Sequence, residues 1–459
     1  YAQFPKGQIY AMYLSDSWLY DEGKPFEYLK ELDAFEELKK RNGTGYFENL
    51  IRRYLLSNNH AAVVTLKPEK GLAARREKAA AEKLAAYKAS LSDEELDAMV
   101  AGTKALKEYQ ESEDSEEALN SLPMLSRKDI DRKTPLHPDT EQIRVNDTTY
   151  LRHHYFTNGI AYLTLLFDTA KVPDELVPYL GILKNMLGVV DTEHYTYGRL
   201  FHEINARTGG INFGLQVLPT EKGLDDSKGY RMFGVKAKYL YSEKDFVFEM
   251  IQEILKTSKF SDKKRLHEIL ASTRAGMEQA IPAAGHTSAA KRALSYQSLL
   301  SAWTEKTTGI DQLRLVKDLD EHFEEKADNL IENLQKLMKI VFRPENLTVS
   351  VTAEEEGFDG IEEEILSLEE NLCTDPFEEG SFDWKPEQKN EGFKTSGQVQ
   401  FVAQAGNYRK DGYEYTGAFR ILRMILNYDY LWMNLRVLGG AYGCMSSFGI
   451  TGGAFFVTY

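Results

Sequence analysis

The sequence predicts an α+β fold in which repeated α/β sandwich units are joined by a long antiparallel helical hairpin. Three observations predict it. One order of elements closes two separate stretches of the chain, a second order opens two others, and a charged, helix-forming segment lies between. With 459 residues, the chain has room for two or three domains.

The closing order is helix, polar break and strand. Residues 46–56 have the spacing of an amphipathic helix, Asn58-Asn59 interrupts it, and residues 61–66 (AAVVTL) predict a strand. Later, a helix ends at Arg343-Pro344 and residues 347–352 (LTVSVT) predict another strand. Each copy indicates the end of a folded unit.

The hairpin is predicted from helix propensity and capping. Residues 71–90 are rich in Ala, Lys, Arg and Glu, which favour helices. Residues 92–95 (SDEE) form a capping box that starts a second helix, ending near residue 111. Two long helices with so short a break predict an antiparallel hairpin, within a connector at residues 68–140.

The opening order is strand, two helices, a glycine pair and a second strand. In the first copy the strand is predicted at residues 160–167, one helix from 173 and another around Leu200, followed by Gly209-Gly210 and a second strand at 211–218. In the second copy the strand is predicted at 398–405 and the helices at 418–425 and 431–438, followed by Gly439-Gly440 and a second strand from 441. The match lies in the order of the elements more than in the residues themselves.

One unit is therefore complete. After its glycine pair we predict a strand at residues 230–241, helices at 243–256, 261–279 and 288–300, and the final strand from 347. The predicted domains begin with the end of a preceding α/β domain at 1–67 and the connector at 68–140. The complete domain follows at 141–355, then an acidic linker at 356–394 and the start of a further domain at 395–459. Both ends are out of register with the repeat, so we expect the chain to begin and end partway through domains.

Composition narrows the possible functions. Two cysteines, Cys373 and Cys444, exclude a disulfide framework or a cysteine-based zinc site within the chain and favour the cytoplasm, or mitochondria or another organelle in a eukaryote. A net charge of −15 argues against a nucleic-acid partner. No stretch of 18 apolar residues occurs, so we expect no membrane partner.

The nine histidines give no metal motif. His202-Glu203 and His267-Glu268 each begin an H-E pair, but Ala206 and Ala271 stand where H-E-x-x-H needs its second histidine. The inverted order H-x-x-E-H is absent as well. We therefore predict that this chain binds no metal.

The segment around Arg436 is the best candidate site. Arg436 falls in the last turn of a predicted helix, Gly439-Gly440 follow, and Tyr442 begins a strand. Arginine and tyrosine are donors that suit a peptide carbonyl or a developing oxyanion. A structural interpretation stays open, because a cation in the last turn complements the helix dipole and a glycine pair caps a helix. The complete unit has Asn205 and Asn212 near the equivalent positions, so the pair is particular to the later copy.

These segments together resemble the presequence-protease and falcilysin-like branch of the pitrilysin/insulinase zinc metallopeptidases, along essentially the whole chain. The segments that carry the resemblance are 45–56 (GYFENLIRRYLL) with 66–68 (LKP), 121–130 (SLPMLSRKDI), 157–163 (TNGIAYL) with 167–168 (FD), and 439–443 (GGAYG).

The resemblance implies four related domains in two bowl-shaped halves that close over an unstructured peptide. The first domain of such enzymes carries H-x-x-E-H and a distal glutamate, which supply the zinc ligands and the general base. That domain is not in this sequence, so the resemblance places zinc in the parent protein and no catalytic residue in this chain. It implies substrate contact by Arg436 and Tyr442, with the turn formed by Gly439 and Gly440.

Two functions follow. The first is the non-zinc portion of a zinc metalloendopeptidase, inactive alone, which forms the hinge and the substrate-contacting wall and works with the missing N-terminal half of the same protein. The alternative is a non-catalytic binding or assembly subunit of a metallopeptidase complex. An H-x-x-E-H motif upstream in the reading frame would favour the first. A structural scaffold built on the hairpin leaves the Gly-Gly-Ala-Tyr-Gly turn unexplained.

Overall fold

The computed structural model describes residues 5–112, 114–130, 133, 140–220, 229–395 and 397–459. The chain separates into two compact units, residues 1–131 and 132–459. Among the helices of these described ranges, none combines the length and apolar character that crossing a bilayer requires.

The first unit is helical in its described part, and no described residue in it is buried. Its α-helices are α1 (Lys6–Trp18), α2 (Glu31–Arg41), α3 (Tyr46–Ile51), α4 (Leu72–Ser90), α5 (Asp93–Glu111) and α6 (Glu116–Asn120). The predicted helix at 46–56 is confirmed, because a π-helical segment, Arg52–Leu56, continues α3 without a break.

The two connector helices and their capping box are confirmed as α4 and α5. The Ser92 hydroxyl accepts a hydrogen bond from the Glu95 N–H at 3.2 Å, and the Glu95 carboxylate accepts one from the Ser92 N–H at 2.9 Å. Neither helix buries a residue. Their packing into an antiparallel hairpin therefore stays a prediction.

The strand predicted at residues 61–66 is wrong. These residues form no regular element, and Val63 is 95% exposed. A strand forms only when its backbone groups find a partner, and the described residues of this unit form no strand with which 61–66 could pair. An apolar stretch in the sequence does not by itself show that a partner strand is present.

The second unit contains two sheets and the helices that pack on them. Its strands are β1 (Thr140–Val145), β2 (Thr148–His154), β3 (Ile160–Asp168), β4 (Ile211–Leu218), β5 (Tyr230–Leu240), β6 (Leu347–Ala353), β7 (Val402–Asn407), β8 (Cys444–Phe448) and β9 (Gly453–Thr458). Its α-helices are α7 (Val177–Met186), α8 (Tyr197–Arg207), α9 (Lys244–Thr257), α10 (Lys263–Ala283), α11 (Gly285–Ser295), α12 (Leu299–Thr308), α13 (Ile310–Glu321), α14 (Phe323–Val341), α15 (Ile361–Asn371) and α16 (Ala418–Ile425).

The larger sheet has the strand order β1-β2-β6-β3-β5-β4. Only the β2–β6 pair among these is parallel. The strands predicted at 160–167, 211–218, 230–241 and 347–352 are confirmed as β3, β4, β5 and β6. With helices packed on this sheet, the predicted α+β class is confirmed.

The core lies between the sheet and its helices. Along β3 the side chains of Leu163, Leu165 and Phe167 are buried while their neighbours are partly buried or exposed, so one face of the sheet is packed. The ring of Phe342, just after α14, meets Phe167 and Phe233 edge-on with centroids 5.1 and 5.2 Å away.

Two parts of this unit differ from their predicted form. The helix predicted at 288–300 is two helices, because α11 ends at Ser295 and Ser298 caps α12 by accepting the Ser301 N–H at 3.2 Å. The stretch at 356–394, predicted as a partly helical acidic linker, does contain a helix, α15, but it also contributes Ile365 and Phe382 to the buried core. The five-part division of the chain itself stays a prediction.

The smaller sheet has the order β7-β9-β8, with both pairs antiparallel. β7 and β8 begin a few residues later than predicted, at Val402 and Cys444. The two helices predicted at 418–425 and 431–438 are one run, since α16 continues directly as the π-helical segment Leu426–Leu438. The last apolar run is not an unpaired strand, because β9 pairs on both sides.

Candidate functional site

Arg436 lies in the last turn of the π-helical segment Leu426–Leu438. Its guanidinium carbon is 4.7 Å from the ring centroid of Trp432 and 5.4 Å from that of Tyr442. Both distances are in the range of cation–π attraction. The structure therefore brings the two predicted residues together and adds Trp432 to them.

The Gly439-Gly440 turn makes this proximity possible. Gly440 has φ of +74°, in the left-handed region that favours glycine. Its N–H donates to the Arg436 carbonyl at 3.1 Å, and the Ala441 N–H donates to the Leu435 carbonyl at 2.8 Å. A Cβ on Gly439 would lie 2.7 Å from that same Leu435 oxygen. The turn caps the helix and also points the chain back, so that Tyr442 reaches Arg436.

Tyr442 is one end of a row of aromatic rings on the smaller sheet. It is 76% exposed, and its ring centroid is 5.9 Å from that of Tyr459. Tyr459 in turn stacks on His286 at 4.8 Å and meets Phe401 at 5.4 Å. We call Phe401, Tyr459 and Tyr442 the ring path. The Gly443 N–H and the Tyr459 N–H each donate to the other residue's carbonyl at 2.9 Å, which fixes the centre of this path.

Arg436 differs from the arginine at the matching helix end of the larger sheet. There, Arg207 lies 2.7 Å from a Glu243 carboxylate oxygen, and its guanidinium carbon is 3.8 Å from the Phe246 ring centroid. Among the residues that the structure describes, no carboxylate lies within ion-pair distance of Arg436. Its charge is offset by the helix end and by two exposed rings rather than by a described carboxylate, so it remains able to bind an acceptor from outside.

The edge of β8 beside this site is already partly occupied. The Asn427 side chain accepts the Ser446 N–H at 2.6 Å and donates to the Ser446 carbonyl at 3.2 Å. It satisfies the outward backbone groups of that residue as a neighbouring strand would. The outward backbone groups of Ser446 are therefore not available to pair with a further strand.

Sequence reasoning found Arg436, Tyr442 and the two glycines but missed four participants. Trp432 could be predicted from the sequence, because it lies four residues before Arg436 and residues i and i+4 are neighbours on a helix face. Tyr459, Phe401 and His286 were not, since their contacts depend on how β7 and β9 pair and where α11 packs. The equivalents in the earlier copy, Asn205 and Asn212, carry neither a cation nor a ring.

The resemblance places the zinc ligands in another domain of the parent protein. In the described ranges, no group of three or more His, Cys, Asp or Glu side chains could hold a metal ion. His267, one of the two H-E histidines, lies 3.2 Å from an Asp320 oxygen and stacks on Phe323 at 4.4 Å. His267 is therefore engaged by a carboxylate and an aromatic ring.

Two family models match the chain. Residues 66–319 match the family of regions associated with peptidase M16, subfamily C, and residues 390–459 match the "PreP C-terminal domain". The second range contains the whole Arg436–Tyr442 site.

Curated relatives match over nearly the full chain. Protein HypA of Clostridium perfringens is 36% identical over 459 residues, which are 100% of this chain and 47% of the relative. Presequence protease 1, chloroplastic/mitochondrial, of Arabidopsis thaliana is 27% identical over 98% of this chain and 42% of the relative. The mitochondrial presequence protease of Schizosaccharomyces pombe is 24% identical over 98% and 45%. The chain spans less than half the length of these relatives.

Solved structures overlay only loosely. A peptidase M16 inactive domain from Pseudomonas fluorescens matches with a TM-score of 0.44 and 13% identity, over 70% of this chain and 74% of that chain. An overlay this loose adds nothing to the relationship that the sequences establish.

Proposed function

This chain belongs to the family associated with peptidase M16, subfamily C, and from that premise we propose that it is the non-zinc portion of a zinc metalloendopeptidase that degrades unstructured peptides. In this proposal the active-site zinc and its ligands are supplied by another portion of the parent protein. The chain contributes the hinge and a wall of the peptide chamber. Family membership agrees with the resemblance in the sequence, and the name presequence protease on the Arabidopsis relative supports a peptide substrate.

One observation carries the proposed role of the wall. Arg436 is held between the rings of Trp432 and Tyr442, and no described carboxylate pairs with it. A guanidinium that is positioned but not neutralised suits a peptide carbonyl or C-terminal carboxylate. The exposed Tyr442 adds a second donor beside it. Together they would orient a peptide rather than take part in bond cleavage.

The test begins with cleavage of a fluorogenic unstructured peptide. We expect no cleavage by the chain alone, and cleavage once the chain is mixed with the polypeptide that carries the rest of the same protein. Robust cleavage by the purified chain alone would overturn the proposal. Binding to the other polypeptide without any cleavage would favour the assembly-subunit alternative.

Site variants test the role of the wall. Arg436→Ala is expected to lower kcat/KM of the reconstituted enzyme about tenfold or more, and Tyr442→Phe about three- to tenfold, as for the loss of a charged and a neutral hydrogen bond. Arg207→Ala is the matched control, because Arg207 also lies in the last turn of a helix before a glycine pair but is paired with Glu243. Wild-type rates in both site variants would return the pair to a purely structural role.

A further inference from the structure

A cavity of about 520 Å³ lies beside the ring path. Its walls come from the end of α10, one side of α11 and the segment that leads into β7. The volume is in the range of small-ligand sites, roughly 300–1,000 Å³. The proposed function does not use this cavity.

Part of the wall is charged, but its charges are paired among themselves. Arg292, only 8% exposed, donates to both oxygens of Glu391 at 2.7 and 3.0 Å. It also lies 3.2 Å from a Glu305 oxygen and 3.0 Å from an Asp311 oxygen. The Tyr296 hydroxyl donates to Glu391 at 2.5 Å. The other cation of the lining, Lys389, lies 3.6 Å from a Glu391 oxygen. Both lining cations therefore have carboxylate partners and do not call for an anionic ligand.

Most of the remaining lining side chains are apolar. They include Ile281, Pro282, Val399 and Phe401, together with the small side chain of Ala289 on α11. An apolar wall next to charged groups that already have partners favours an uncharged, largely apolar occupant.

Phe401 belongs both to this wall and to the ring path. Its ring centroid is 5.4 Å from that of Tyr459, which is 5.9 Å from that of Tyr442. An extended peptide advances about 3.3 Å per residue, so these two steps together correspond to at most about three residues. A peptide that is held at Arg436 and Tyr442 and follows the ring path would therefore bring a residue up to about three positions away to the cavity.

We propose that this cavity is a side-chain subsite for the bound peptide, taking an aromatic or large aliphatic residue up to about three positions from the residue held at Tyr442. The assignment rests on the proposed function for the location of the peptide. The size and apolar wall of the cavity, and its sharing of Phe401 with the ring path, supply the rest.

The test uses binding of labelled, unstructured peptides to the full chain, measured by fluorescence anisotropy. The peptides are Gly/Ser/Lys-rich and carry a single Phe, and their partners carry Ser at that position. Wild-type chain is expected to bind the Phe peptide about tenfold more tightly, as for one buried aromatic side chain. Equal affinity for both peptides would overturn the subsite.

Variants locate the preference. Ala289→Leu fills the cavity and is expected to remove the Phe preference, whereas Ala283→Leu, at an exposed position of α10 that does not line it, keeps the preference. Val399→Asp, in a segment without regular structure, is a second variant in case Ala289→Leu fails to fold, and it too should remove the preference. A preference that survives in a folded Ala289→Leu or in Val399→Asp contradicts the subsite.

Arg436→Ala separates the two proposals. It is expected to weaken binding of the Phe and Ser peptides by the same factor and to leave the ratio between them unchanged. If Arg436→Ala changes neither affinity while Ala289→Leu removes the Phe preference, the subsite stands and the proposed role of Arg436 fails. If Arg436→Ala weakens binding and no Phe preference exists, the reverse holds.

Discussion

The turns at Gly209-Gly210 and Gly439-Gly440 lead into strands that occupy the same place in two sheets. β4 is an edge strand beside β5, and β5 lies next to β3. In the same way, β8 is an edge strand beside β9, and β9 lies next to β7. First, third and second strands thus follow one another in both regions, as expected if a single supersecondary unit is used twice.

The two regions differ in how their helices are used. Leu180 and Leu183 of α7 are fully buried against the larger sheet, whereas Ile421 and Met424 of α16 are more than half exposed. The arginine at the helix end follows the same division, because Arg207 is paired with Glu243 and Arg436 is not paired with any described carboxylate. The earlier copy uses its side chains for stability, and the later copy leaves them able to contact another molecule.

The largest expected effect tests that division in the core. Leu180→Ala should lower the free energy of unfolding by about 3–4 kcal/mol, because it removes a fully buried side chain from a packed core. Leu422→Ala, at the corresponding helix of the later copy and 40% exposed, should cost under about 1 kcal/mol. Urea denaturation followed by circular dichroism compares them. Equal losses would mean that the α16 face is covered in solution.

A second prediction concerns the segment between the two regions. Hydrogen bonding from Arg292, and then from Tyr296, lowers the pKa of Glu391 to about 2. A depressed carboxyl pKa stabilises the fold above the unfolded pKa of about 4.3, and this stability is lost as pH falls through the folded pKa. Because Glu391 is exposed, solvent screening reduces this contribution, and about 1 kcal/mol of it should be lost between pH 7 and pH 3.

The variant Glu391→Gln checks this assignment. Its unfolding free energy, measured with urea at pH 7, 5, 4 and 3, should depend on pH by about 1 kcal/mol less than that of wild type. Glu387→Gln, an exposed change in the same segment, is the control and should follow the wild-type curve. Parallel curves for wild type and Glu391→Gln would show that the ion pair with Arg292 does not hold this segment.

Most of the larger sheet could be predicted because its information is local. In β6 the alternation Leu347, Val349, Val351 places every second side chain in the core, and the sequence displays that period directly. Residues 61–66 are similarly apolar but form no strand, since a strand depends on a partner strand elsewhere in the chain. The ring path was hidden for the same reason, because Phe401 and Tyr459 meet only once β7 and β9 pair.

The helices of the two copies show where analogy along the sequence stops. In the earlier copy Gly188, with φ of +77°, follows the end of α7 and separates it from α8. The later copy has Leu-Asn-Tyr-Asp-Tyr at 426–430, without glycine or proline, and the helix runs on to Leu438. The prediction of two helices there assumed a break by analogy with the earlier copy, but the later copy lacks the residues that would cause one. The Arg436 site depends on this difference, because it lies at the end of that continuous run.

The smallest expected effect concerns the turn that sets Tyr442 against Arg436. Gly440→Ala should cost about 1 kcal/mol in unfolding free energy, because an L-residue is strained at φ of +74° although its Cβ meets no atom within 4 Å. Gly440→Asn should cost under about 0.5 kcal/mol, since asparagine tolerates this conformation. Gly439→Ala should cost more than either, because its Cβ would lie 2.7 Å from the Leu435 oxygen.

Peptide affinity, measured on the same variants, separates the two uses of the turn. If Gly439-Gly440 only ends a helix, affinity should be unchanged in every variant that folds. If the turn positions Tyr442 on Arg436, Gly439→Ala should weaken peptide binding more than Gly440→Asn does, because only the first change displaces backbone. Gly210→Ala, at φ of +101° in the earlier copy, should lower stability without changing peptide affinity. Loss of affinity in Gly210→Ala would contradict the division of roles between the two copies.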